Sequence, residues 1–157
     1  MKGTIGTAMS TPRTWGLCLA ICCLASTSAI ACSPASERGI FFENVPTDIV
    51  APVIIEATIY GDGSQVGDVA GNQMIVLDAR VDRVIKGPTD AKTLKIFVYL
   101  GSCTRVGIGQ GIILGELRND PLRGPMLKAI EGANFRSQSK EFQQKQEAIW
   151  AAVTRDK

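Results

Sequence analysis

The chain has 157 residues, 45% of them hydrophobic and 20% charged, with a formal net charge of +2 and no histidine. The length fits one domain, and the missing histidine excludes Ser-His-Asp and Cys-His catalysis together with the commonest metal ligand. Lys2 and Arg13 account for the whole positive excess, so from Cys32 onward the charges balance and no basic face for nucleic acid is implied.

Residues 1–31 read as a secretory signal peptide. Lys2 and Arg13 form a positive leader, and Met9 is an alternative start. Residues 15–25 are an apolar run too short to span a bilayer, and Ala29-Ile30-Ala31 is a small-x-small cleavage site. Cleavage there makes Cys32 the first residue of the exported chain. A cysteine at that position is also where a bacterial lipoprotein is acylated, although Ala29 stands where that signal usually has leucine. Two fates are therefore open to Cys32, plain export or lipidation.

Residues 33–51 show little periodicity, and Phe41 and Phe42 are expected to cover one edge of the core. Val53, Ile55, Ala57 and Ile59 alternate with polar Glu56 and Thr58, the pattern of a strand with one buried face. Residues 61–72 hold four glycines and two aspartates and read as a loop. Ile75, Leu77, Ala79 and Val81 then alternate with Val76, Asp78, Arg80 and Asp82. Arg83 breaks that alternation, and a β-bulge near Asp82-Arg83 would restore it before Val84 and Ile85. Lys86-Gly87-Pro88 stops the strand, because glycine admits a positive φ and proline donates no hydrogen bond. Residues 94–100 form the return strand. Leu94, Ile96, Val98 and Leu100 share one face, and Phe97 and Tyr99 make the other face apolar too, as in a central strand.

Gly107, Gly109 and Gly111 resemble a dinucleotide fingerprint only in spacing. They precede the strand 112–117, whereas a fingerprint precedes a helix whose N-terminus holds phosphates. Glycines that permit close packing explain them better. Residues 118–124 read as a polar turn and 125–130 as a short strand or a helical turn. Residues 139–153 read as a helix with Phe142, Gln146, Ile149, Trp150 and Val153 on one face. Phe142, Ile149 and Val153 are expected to be buried against the strands.

Of five cysteines, Cys18, Cys22 and Cys23 leave with the signal peptide. Cys32 and Cys103 remain, the minimum for a disulfide in an oxidising compartment. A Cys32–Cys103 bridge closes a loop of roughly 70 residues and contributes about 4 kcal/mol by chain entropy, less any strain. If Cys32 is lipidated instead, Cys103 keeps its thiol. Arg105 is near enough in sequence to lower the pKa of that thiol, but no histidine is there to activate it. Asp78, Asp82 and Glu116 fall on solvent faces of strands and imply no desolvated catalytic pair.

Together, Cys32, the stretch Ala79-Arg80-Val81-Asp82-Arg83-Val84-Ile85-Lys86-Gly87 and Cys103 resemble the netrin-like module, the OB-fold domain of the tissue inhibitors of metalloproteinases. The resemblance covers most of residues 32–153 and implies a mainly β fold, a five-stranded OB-like barrel with a C-terminal helix over residues 139–153. It implies that Cys103 pairs with the N-terminal cysteine. In the inhibitors the amine and carbonyl of that cysteine chelate the protease's zinc, a role that falls on Cys32, with Ser33 in the adjoining pocket. The chain departs from them at Pro34, where they have a second cysteine, and in having one bridge where they have several. It also resembles small secreted bacterial proteins with no established activity.

The expectation is a non-catalytic, periplasmic or secreted protein that binds another envelope or extracellular protein. It needs no cofactor or metal and binds no nucleic acid, and it meets a membrane only if Cys32 is lipidated. The alternative is a lipid-anchored structural or assembly protein. Cys32, Ser33, Thr104 and Arg105, with the 61–72 loop and the 102–110 segment, are the expected binding region.

Overall fold

The computed structural model describes residues 38–155, apart from 69, 102 and 133–136. The expected signal peptide, Cys32 and Ser33 lie outside the described residues. The described chain is mainly β with a C-terminal helix. Its strands are β1 (Arg38–Gly39), β2 (Val53–Ile59), β3 (Ser64–Gly67), β4 (Gln73–Lys86), β5 (Thr93–Tyr99), β6 (Thr104–Arg105), β7 (Gly109–Asp120) and β8 (Gly124–Ala129). The helix α1 spans Lys140–Arg155.

The expected hairpin is present as β4 and β5, paired antiparallel from Met74↔Tyr99 to Arg80↔Thr93. Gly87 lies between them at φ 110°, a conformation that side chains beyond glycine's avoid. The bulge is present too. Opposite β2, Val81 pairs with Ala57 and Arg83 with Glu56, so Asp82 is the extra residue; a second irregularity leaves Ile85 unpaired between Val84 and Lys86. These extra residues bend β4. Its 14 residues meet β2 along one half of an edge and β3 along the other half of the same edge.

β7 pairs antiparallel with β2 over residues 109–115 and with β8 over residues 115–120. β8 runs parallel to β5. Following the pairings from β2 to β4, β5, β8 and β7 therefore returns to β2. All five strands send side chains to one cluster that includes Ile55, Leu77, Ile96, Ile113 and Leu127, each fully buried. By the usual cost of large-to-small changes, truncating any one of these to alanine costs about 2–5 kcal/mol.

Several expectations need correcting. The sheet has six strands where five were expected, because residues 64–67 of the supposed 61–72 loop pair with β4. Residues 118–120 extend β7, and the turn narrows to 121–123; here Asp120 Oδ1 accepts from the Leu122 and Arg123 amides. Residues 124–129 are a strand. Thr58 is not on a solvent face: it is buried, with its hydroxyl donating to Asp82 at 2.6 Å. Leu100 is exposed, beyond the end of β5. On α1, Phe142 and Gln146 are the buried residues, whereas Ile149 and Val153 are half-buried and Trp150 is exposed.

Candidate functional site

The edge of β7 that faces away from β2 is bare from Gly109 to Leu114, since β8 begins pairing only at Gly115. An unpaired run of backbone groups must find other partners. Three different segments supply them. The Gln146 side chain accepts from the Gln110 amide at 2.9 Å and donates to the Gln110 carbonyl. Phe42 exchanges two backbone bonds with Ile112, at 2.8 and 2.9 Å. The Ile130 amide donates to the Leu114 carbonyl. The segment around Phe42 and the helix thus stand in for a missing neighbour strand.

Glycine at position 109 makes this approach feasible. A Cβ there would press on the Phe41 ring and the Gln146 amide. The reading of the Gly-x-Gly-x-Gly spacing as close packing holds at this residue.

The helix is fixed over this edge by its first turn. The Ser139 hydroxyl accepts from the Phe142 amide at 3.1 Å, an N-cap bond, and donates to Glu43 Oε1 at 2.6 Å. Glu43 Oε2 accepts from the Ser139 amide, which places a carboxylate at the positive end of the helix dipole. The two bonds from Ser139, its side chain's first and its backbone's second, hold the Glu43 carboxyl below its ordinary pKa. Gln138 Nε2 donates to the Phe41 carbonyl, tying the same two segments again.

On the other side, β1 lies parallel to β6, with the Arg38 amide donating to the Cys103 carbonyl at 3.1 Å. The Arg38–Gly39 segment is thereby pinned next to Cys103. Between β1, the segment after β6 and α1 opens a cleft of about 450 Å³. Ile40, Phe41, Val106, Ile108 and Phe142 give it apolar walls, and Trp150, 56% exposed, stands at its margin. Arg38, Thr104 and Asp62 add polar groups. That combination of volume, apolar lining and few polar groups is usual for a binding cleft.

Of the residues expected to bind, Thr104 is in the cleft wall, its hydroxyl donating to Glu131 Oε2 at 2.5 Å. Arg105 is in β6, opposite Gly39. Cys32 and Ser33 lie outside the described residues. Cys103 is half-buried and is not a free thiol; its expected partner Cys32 lies outside the described residues. Among the described residues of the 61–72 loop, Asp62 reaches the cleft. Asp78 and Glu116 are exposed and ion-paired, with Lys95 at 2.7 Å and Arg118 at 2.8 Å.

Asp82 is exposed, as expected of a solvent face, but its carboxylate is held by three neighbours. Its oxygens accept from Thr58 Oγ1, from Arg80 Nε at 2.8 Å and from Gln110 Nε2 at 3.2 Å. Partial burial opposes its ionisation, but these three bonds and the Arg80 charge outweigh that and hold its pKa below the ordinary value. Gln110 thus joins the β4 bulge to the helix, through its side chain on Asp82 and its backbone on Gln146. Sequence reasoning missed this chain of contacts. Its one visible signal was a glutamine inside the apolar stripe of α1.

Among the described residues, no three His, Cys, Asp or Glu side chains gather as metal ligands. No family model, curated protein or solved structure matches this chain.

Proposed function

We propose that the protein is an exported, non-catalytic module that binds another envelope or extracellular protein through the cleft between β1, the 106–108 segment and α1. The observation that carries this reading is the cleft itself, an apolar hollow walled by β1, the 106–108 segment and α1 and edged by an exposed tryptophan. The circuit of pairings β2–β4–β5–β8–β7–β2, with β5 and β8 parallel, supports reading the core as a five-stranded OB-like barrel with β3 as an appended edge strand. The netrin-like resemblance agrees with that plan and with an N-terminal segment lying beside Cys103. On this reading Cys32 and Cys103 form the bridge. Binding near a bridged N-terminus, in the manner of a protease inhibitor, is the form this takes if the resemblance extends to function.

A photoreactive benzoylphenylalanine at position 150 tests the reading in the producing cells. A discrete protein adduct at position 150, missing when the same group stands at exposed Leu122, is the expected result. Equal labelling at both positions, or none at either, would refute a binding surface at the cleft.

A further inference from the structure

The side chains around the cleft say what kind of segment would fill it. Interface energy concentrates in tryptophan, tyrosine and arginine around a desolvated pocket. Trp150 stands at the cleft and is more than half exposed. Arg38, exposed, contributes a guanidinium to the cleft wall.

The charges of the described wall are Arg38 and Asp62, and Asp62 already has an interaction of its own. Among the described residues, the cation that the wall offers a ligand is Arg38, beside an apolar hollow of about 450 Å³, large enough for an aromatic side chain. Resting on the binding role proposed above, we infer that the cleft receives an extended segment of the partner protein in which a large apolar side chain is followed by an acidic residue. The apolar side chain fills the hollow against Ile108 and Phe142. The carboxylate meets Arg38, and Trp150 closes over the backbone between them.

Acetylated and amidated hexapeptides of the form Gly-Gly-X-Z-Gly-Gly test this, with Phe or Ala at X and Glu or Lys at Z. They are titrated calorimetrically into the full chain and, in parallel, followed by tryptophan emission in a chain carrying Trp15→Phe. The Phe–Glu peptide should bind about tenfold more tightly than the Ala–Glu and the Phe–Lys peptides. Ile108→Arg, which fills the hollow, should abolish binding of every peptide. Arg38→Ala should erase the preference for Glu over Lys and leave the preference for Phe over Ala. Should Ile108→Arg fail to fold, the exposed Trp150→Ala, checked by circular dichroism, should weaken Phe–Glu binding about tenfold in its place. No measurable binding of any peptide at millimolar concentration, or binding indifferent to X and Z, overturns the inference. If position 150 still forms a specific photo-adduct in that case, only the chemistry assigned to the segment has failed. If the adduct is missing as well, the binding role itself has failed.

Discussion

Replacing Gln146 with methionine keeps the length and burial of the side chain on α1 but removes both bonds to Gln110. The amide and carbonyl of Gln110 then lose their partners on an edge that no strand covers. An unsatisfied buried polar group costs about 1–3 kcal/mol, and Gln110 is half-buried, so water recovers part of the loss. The expected total is about 2–4 kcal/mol. With a urea slope of about 2 kcal/mol/M, that moves the midpoint down by about 1–2 M at constant slope. Gln144→Met, on the exposed side of the same helix, should stay within about 0.5 kcal/mol of the parent. Hydrogen exchange supplies the local readout, since the Gln110 amide should lose its protection in the Gln146 variant alone. Gln146→Glu gives a second test. Its carboxylate can accept from the Gln110 amide but has no proton for the Gln110 carbonyl. Only the protonated form makes both bonds, so its folded pKa is raised, and the stability so gained is present at low pH and lost as pH rises. An unchanged midpoint for Gln146→Met, with Gln110 still protected, would refute the claim that this side chain stands in for a strand.

Removing the helix cap with Ser139→Ala should cost about 0.5–2 kcal/mol, read as a lowered thermal midpoint. Asp82 titrates below its ordinary value in the folded protein, so its contribution is complete above the unfolded aspartate pKa of about 3.9 and is lost as pH falls through the lowered folded value. Asp82→Asn should therefore flatten that acid-side part of the stability profile in urea melts taken between about pH 2 and pH 6. Phe142→Ala should cost about 3–5 kcal/mol, whereas Ile149→Ala, half-buried, should cost less than about 2 kcal/mol by denaturant midpoint; equal costs would contradict the burial found on α1. The intact mass of the exported protein should match a chain beginning at Cys32, two hydrogen atoms lighter if bridged to Cys103 and heavier by acyl groups if lipidated.

The sequence alone determined the elements whose pattern is local. Alternation placed Val53, Ile55, Ala57 and Ile59 inward, all four nearly or fully buried, and located the β4–β5 hairpin with its glycine turn. The broken alternation at Arg83 located the bulge, because one extra residue inverts every side chain beyond it. The helix was visible in its 3.6-residue periodicity. Tertiary structure decided what depends on distant partners. β3, Ser64-Gln65-Val66-Gly67, is too short and has too little apolar area for an alternation to be read, and it is a strand because β4 offers a free half-edge. Thr58 is buried because Asp82, a bulge residue on β4 24 positions along the chain, accepts its hydroxyl. Gln146 outranks Ile149 on the buried face of α1 because the edge of β7 needs a donor and an acceptor there more than it needs another methyl group. The cleft depends on the same kind of long-range fact. Its walls come from β1, the 106–108 segment and α1, which meet only because the pairing of β7 with β8 begins late, at Gly115, and leaves an edge for other segments to cover.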